Sequence, residues 1–221
     1  MPITSSSHPM LRRSEVNTAQ NAASAFFNLA GKFFSTLPPD LELAGRYCQE
    51  HKSELIAAST NLALSVELSL KALAMATGTK VLRTHQLPEL FDALRPEVRT
   101  SVELLYNELV KQIPDRAPAA LIVYITTRPV PPTEKQQRQS LSKYPKAHDL
   151  RSVLKAEQDA FVSWRYFYEA GGGEEVSCYK VEHMRMCAIK NALQAHFSDG
   201  KTKRVLPPTP GVTSQPGQAP K

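Results

Sequence analysis

The sequence predicts an all-α protein with one helical core. Apolar residues recur three or four positions apart over long stretches, which is typical of helices that bury one face. Proline and glycine stand where these stretches end. Apolar residues make up 42% and charged residues 22% of the 221 positions, which is an ordinary globular composition. We therefore expect a bundle of about four long helices with some short ones.

Five helices are predicted in the first half of the chain. They cover residues 17–35, 40–50, 53–77, 88–94 and 96–109. The third has the most regular apolar stripe, from Leu55 to Leu73, and Gly78 follows as a C-terminal stop. Pro88 and Pro96 each suit the first turn of a helix, because a helix has no partner for the N–H that proline lacks at that position.

The second half opens on a Pro-rich connection, residues 113–147, which interrupts any long helix. Within it, the composition of Leu121–Thr126 favours a short strand. Asp149 can cap a helix that continues to Tyr168. A final helix is predicted over about 179–197.

The expected domain organisation is one helical domain between two tails. The domain covers residues 17–198, residues 1–16 form a disordered N-terminal tail, and residues 199–221 form a disordered Pro-rich basic tail. The C-terminal tail carries +3 of the total charge of +6, so the domain itself is only weakly basic. A weak positive charge gives little indication of phosphate binding by the domain as a whole.

No run of about 18 apolar residues is present, so no membrane span is expected. The N-terminus does not match a signal peptide, and we expect a cytoplasmic protein. Cys48, Cys178 and Cys187 are odd in number and form no CxxC pair, which favours reduced thiols. Cys178, His183 and Cys187 could supply three metal ligands, but a structural zinc site needs four. The sequence therefore predicts no metal and no cofactor.

The stretch 61–76 resembles the long second helix of HEPN domains. That helix is often written around an Ala-x-Glu-x-x-x-Lys-x-Leu pattern, and Glu67, Lys71 and Leu73 occupy its last three named places. Ser65 stands where the pattern has alanine, which exchanges one small residue for another.

Two further segments carry the resemblance. His85–Leu90 reads His-x-Leu-x-x-Leu, and Arg165 with Tyr166 lies in a segment similar to the Arg-Tyr helix of many HEPN proteins. The likeness extends over residues 17–198 and is specific in these patches. It implies a helical bundle, commonly a homodimer, associated with RNA cleavage, nucleotide-transferring partners, defence or toxin–antitoxin systems.

The cleaving members of the HEPN superfamily carry an arginine followed by four to six residues and a histidine. Counted from Arg165, that histidine would fall at 170–172, which are alanine and two glycines. Arg165 and Glu169 are thus weak catalytic candidates. Arg46 and His51 have the right spacing but precede the long helix, and a chain with this many arginines and histidines matches the spacing by chance.

Glu67 and Lys71 lie four residues apart, in the order that favours pairing on one helical face. Two interpretations remain open: an ordinary surface ion pair, or a polar network between helices that also includes Arg165. Aromatic residues around Arg165 and Tyr166 could stack nucleic-acid bases, although such rings more often fill a core or a dimer face.

The leading functional hypothesis is a HEPN-like module with a non-catalytic or accessory role in a nucleic-acid-linked or defence context. Its expected partners are a second copy of the chain, RNA or a nucleotide, and a protein encoded nearby. One alternative is a metal-independent ribonuclease using Arg165, or Arg46 with His51. Another is a protein-interaction scaffold unrelated to RNA.

Overall fold

The computed structural model of the chain describes residues 9–113, 120–126, 133–136, 149–158 and 176–198. Helices dominate these residues, which confirms the predicted helical class. The helices are α1 (Pro9–Phe34), α2 (Leu41–Glu50), α3 (Lys52–Ala76), α4 (Leu87–Asp92), α5 (Pro96–Val110), α6 (Leu150–Glu157) and α7 (His183–Phe197). The described residues also include two strands, β1 (Leu121–Thr126) and β2 (Val176–Val181).

The helices α1 and α3 pack along each other through small side chains. Ala23 and Ala30 of α1 and Ala72 of α3 are fully buried. Ser65 donates a hydrogen bond from its hydroxyl to the backbone carbonyl of Ala23 at 2.7 Å. The serine that replaces alanine in the resembled pattern therefore links the two helices, and its polar atom is satisfied within the core.

Helix α7 closes the core against α3 and α5. Met186, Ile189 and Leu193 are among its fully buried side chains. Burial on several sides explains why the helix shows no clean apolar stripe in the sequence, since such a stripe requires one face in water.

Capping residues fix several helix ends where the sequence predicts them. The Asp40 carboxylate accepts the backbone N–H groups of Glu42 and Leu43, each at 2.9 Å, and so starts α2. Asp149 and Ser152 form a reciprocal capping box at the start of α6. After α3, Gly78 adopts a left-handed φ of 69°, which glycine accepts without steric strain.

The strands β1 and β2 pair antiparallel, with Leu121 opposite Val181 and Thr126 opposite Val176. The predicted strand β1 is confirmed, and its partner was not foreseen. The prediction of a helix from about residue 179 was wrong, because β2 continues to Val181 and α7 begins at His183. The residues of β2 pair with β1 over the whole length of both strands, which holds them in extended structure.

Helix α1 begins at Pro9, so the predicted start at residue 17 was too late. Proline suits the first turn of a helix, and the Thr18 hydroxyl returns a hydrogen bond to the Ser14 carbonyl inside the extended part. The continuation of α6 to Tyr168, residues 199–221 and most of the Pro-rich connection lie outside the described residues.

No helix in the described part of the chain is both long and apolar enough to cross a membrane.

Candidate functional site

The most unusual polar side chain of α3 is the buried carboxylate of Glu67. Its side chain is 6% exposed, and its Oε1 atom accepts a hydrogen bond from Lys71 Nζ at 2.7 Å. His85 Nδ1 lies 3.1 Å from both carboxylate oxygens. Burying a carboxylate is costly unless charged or hydrogen-bonding partners compensate it. The two partners supply that compensation.

The three side chains differ in exposure, from the buried Glu67 to the exposed His85. Lys71 is 20% exposed and His85 is 63% exposed, against 6% for Glu67. Because His85 presents Nδ1 to a carboxylate, we assign the proton of that contact to Nδ1. The buried carboxylate thus fixes the tautomer and orientation of an exposed imidazole beside an ammonium group.

The burial of Glu67 favours a polar network over a simple surface ion pair, the two interpretations that the sequence left open. The network that exists among the described residues joins Glu67 and Lys71 to His85. Arg165, Tyr166 and Glu169 lie outside the part of the chain that the structure describes. Periodicity alone could not pair Glu67 with His85, because a loop separates them, although the His-x-Leu-x-x-Leu likeness did single out His85.

The structure gives Arg46 and His51 separate partners. Arg46 is mostly exposed and pairs with Glu42 one turn earlier at 2.5 Å. His51 stacks on the Tyr47 ring, with centroids 4.2 Å apart, and lies 3.6 Å from Glu54. Both residues are explained by local contacts on α2 and at the start of α3.

A second polar cluster, which we did not predict from the sequence, lies between α6, β2 and α7. Lys180 and Arg185 both pair with the buried carboxylate of Glu182. The backbone N–H of Glu182 donates to Glu157 Oε1 at 2.8 Å. Burial, aided by the neighbouring Glu182 carboxylate, raises the pKa of Glu157 to about 7. Protons therefore exchange at Glu157 near neutral pH.

A signal for Glu157 was present in the sequence. Leu150, Val153, Leu154 and Glu157 recur at helical spacing, so the glutamate continues an apolar stripe. A carboxylate at such a position is expected to be buried, which the structure shows.

A third buried charge is Lys190 of α7, which is 2% exposed. Its ammonium lies 5.5 Å from the centre of the Phe27 ring and donates to Gln194 Oε1 at 3.0 Å. Burial lowers the pKa of Lys190 from 10.5 to about 8. The folded protein therefore holds this proton less tightly than the unfolded chain does.

Replacing Lys190 with methionine is expected to stabilise the protein at pH 7 by about 1–2 kcal/mol, because the buried charge disappears while the ring contact and one hydrogen bond are lost. The stability advantage of the variant over the wild type should shrink as pH increases from about 8 to 10.5, because the wild-type lysine loses its charge over that range. Urea unfolding at several pH values measures both effects. Lys111→Met, at an exposed position, should change stability by less than about 0.5 kcal/mol. Destabilisation by Lys190→Met at pH 7 would contradict the prediction.

Cys48, His183 and Cys187 are core residues. His183 is buried, its ring centre lies 5.1 Å from that of Phe34, and burial lowers its pKa to about 3. Cys48 and Cys187 are free thiols, and burial raises their pKa values to about 11 and about 12. Within the described ranges, no three potential metal ligands come together.

Comparison of the chain with family models, with curated proteins and with solved structures finds no match.

Proposed function

We propose that the chain is a HEPN-like helical module with a non-catalytic or accessory role in a nucleic-acid-linked or defence context. The proposal rests on one observation: two segments that each resemble part of a HEPN domain contact each other at Glu67. The pair Glu67 and Lys71 comes from the long helix, and His85 comes from the following segment. The contact between these two segments supports the proposal.

The non-catalytic part of the proposal is supported by the residues around the two candidate arginines. Positions 170–172, where the cleaving members would have a histidine after Arg165, hold alanine and two glycines. Arg46 and His51 satisfy the spacing, but each contacts its own local partner. A homodimer and a cytoplasmic location belong to the same proposal and rest on the resemblance and the sequence.

Purified protein incubated with mixed RNA is expected to leave the RNA intact, because positions 170–172 hold no histidine after Arg165 and because Arg46 and His51 each contact a separate local partner. The readout is a denaturing gel over time, with the wild type, Arg165→Ala and His51→Ala compared side by side. Cleavage that disappears in Arg165→Ala would replace the accessory role with the ribonuclease alternative. Cleavage lost only in His51→Ala would favour the Arg46 and His51 pair.

The protein-interaction scaffold makes a different prediction from both RNA-linked functions. A scaffold unrelated to RNA should show no RNA binding even at low salt, where electrostatic contacts are strongest. The accessory module should bind RNA under those conditions without cleaving it.

A further inference from the structure

The segment between α3 and α4, residues 77–86, concentrates positive charge, and we name it the cationic loop. It contains Lys80 and Arg83, both exposed, and no acidic residue. Neither cation forms an ion pair with a described carboxylate, whereas Lys71, Lys180 and several arginines do. Exposed cations without a carboxylate partner remain available to an external anion.

Two apolar side chains anchor the cationic loop to the core of the protein. Val81 and Leu82 are half-buried and pack against the core. The flanking Lys80 and Arg83 are exposed on either side of this apolar anchor. At the start of the loop, the Thr77 hydroxyl contacts the Leu73 carbonyl at 2.8 Å. A preordered loop loses little conformational entropy when it binds a ligand.

The cationic loop runs back beside the last turns of α3. His85 reaches Glu67, which lies nine residues before Ala76 at the end of α3 and therefore about 13 Å along the helix from it. Lys71 lies on the same face as Glu67 and within this stretch. Arg83, two residues before His85, can be no more than about 7 Å of extended chain from it. Lys71 and His85 therefore lie on one side of the helix, and the backbone of Arg83 lies close to that of His85.

A further cation stands at the other end of the loop. A Cβ atom placed on Gly78 would lie 3.6 Å from Arg95 Nη2, so the Arg95 guanidinium sits close to the backbone where the loop begins. Positive groups are thus distributed along the whole loop instead of forming a single point charge. Such a distribution suits a ligand with repeated negative charges.

From this arrangement we propose that the cationic loop binds the phosphodiester backbone of a single-stranded nucleic acid through Lys80 and Arg83. The inference rests on the proposed nucleic-acid-linked function and adds a location to it. Arginine can grip a phosphate with two parallel hydrogen bonds, and lysine adds a compact charge. Residues 77–86 include no Phe, Tyr or Trp on which bases could stack, so binding should depend on phosphates and salt more than on base sequence.

The test measures binding of the full-length chain to a labelled 20-nucleotide RNA, and to DNA of the same sequence, by fluorescence anisotropy between 50 and 200 mM salt. The variant is Lys80→Glu with Arg83→Glu. Its matched control is Lys111→Glu with Lys155→Glu, which alters two exposed lysines on other elements and changes the net charge equally. Thermal melts of both variants verify that they fold.

At 50 mM salt the loop variant should bind at least about tenfold more weakly than the control, and its salt dependence should be shallower by about 1.4 in logarithmic slope, for two lost phosphate contacts. Similar affinities for RNA and DNA support a backbone site. A large preference for either would overturn a phosphate-only site.

Two outcomes separate the inference from the proposed function. If the wild type binds nucleic acid and the loop variant matches the control, the cationic loop is not the site, whereas the proposed function stands. If the wild type binds neither RNA nor DNA at 50 mM salt, both are wrong. Equal binding of polyglutamate, with the same dependence on Lys80 and Arg83, would also overturn a site for phosphate.

Discussion

Replacing Glu67 with alanine is expected to lower the free energy of unfolding by about 3 kcal/mol. The substitution removes the acceptor that Lys71 and His85 share, and it leaves a void beside α3. Glu67→Gln should cost less, since the amide oxygen still accepts one hydrogen bond. Urea unfolding at pH 7 measures both losses. The large effect follows from burial, because ion pairs in water contribute little.

Glu103→Ala is the matched control for this prediction. Glu103 lies exposed on α5, so its removal should change stability by less than about 0.5 kcal/mol. If Glu67→Ala and Glu103→Ala produced equal and small losses, the Glu67 network would contribute nothing to the fold. The interpretation as an ordinary ion pair would then be correct.

Glu157→Gln is expected to stabilise the protein by up to about 3 kcal/mol at pH 8 and to have little effect at pH 5. The folded-state pKa of Glu157 is about 7, above its ordinary value of 4.5, so the folded protein binds this proton more tightly than the unfolded chain. The contribution of the protonated carboxyl is complete below pH 4.5 and is lost as pH rises to about 7. A neutral glutamine keeps the acceptor for the Glu182 N–H and does not ionise.

The difference in unfolding free energy between Glu157→Gln and the wild type, measured from pH 4.5 to pH 8, isolates the contribution of Glu157. The difference should grow with pH across that range. Glu103→Gln, at an exposed position, should give a flat difference. A flat profile for Glu157→Gln as well would mean that Glu157 ionises normally despite its burial beside Glu182.

Helix boundaries could be predicted from the sequence wherever a single residue determines them. Asp40 and Asp149 cap helices because a short carboxylate reaches backbone N–H groups that have no helical partner. Gly78 ends α3 because glycine accepts the left-handed conformation. These signals are local, so one sequence contains them in full.

Features that depend on distant pairing could not be predicted in the same way. The strand β2 needs β1 as its partner, and about 50 residues separate them in the chain. Before that pairing is known, the residues from 179 also fit the start of the following helix.

In the candidate site, too, local contacts could be predicted from the sequence and distant ones could not. The four-residue spacing of Glu67 and Lys71 predicted their contact, but nothing local indicated that the carboxylate is buried or that His85 returns to it. Lys190 was missed because a lysine beside apolar residues usually extends to water, whereas here both Phe27 and Gln194 contact its buried ammonium.

The Glu67 network connects the fold to the inferred binding surface. The buried carboxylate binds His85 and so fixes the C-terminal end of the cationic loop, whereas Gly78 lies at its N-terminal end. The stability of the network and the position of Lys80 and Arg83 are therefore linked through one segment of backbone.

Hydrogen–deuterium exchange of the full chain, with and without a saturating single-stranded RNA, locates the nucleic-acid site on the protein. We expect slower exchange on RNA binding in peptides covering residues 77–86, with the RNA recovered intact afterwards. Protection confined to other segments, such as residues 199–221, or cleavage of the RNA during the experiment, would contradict this expectation.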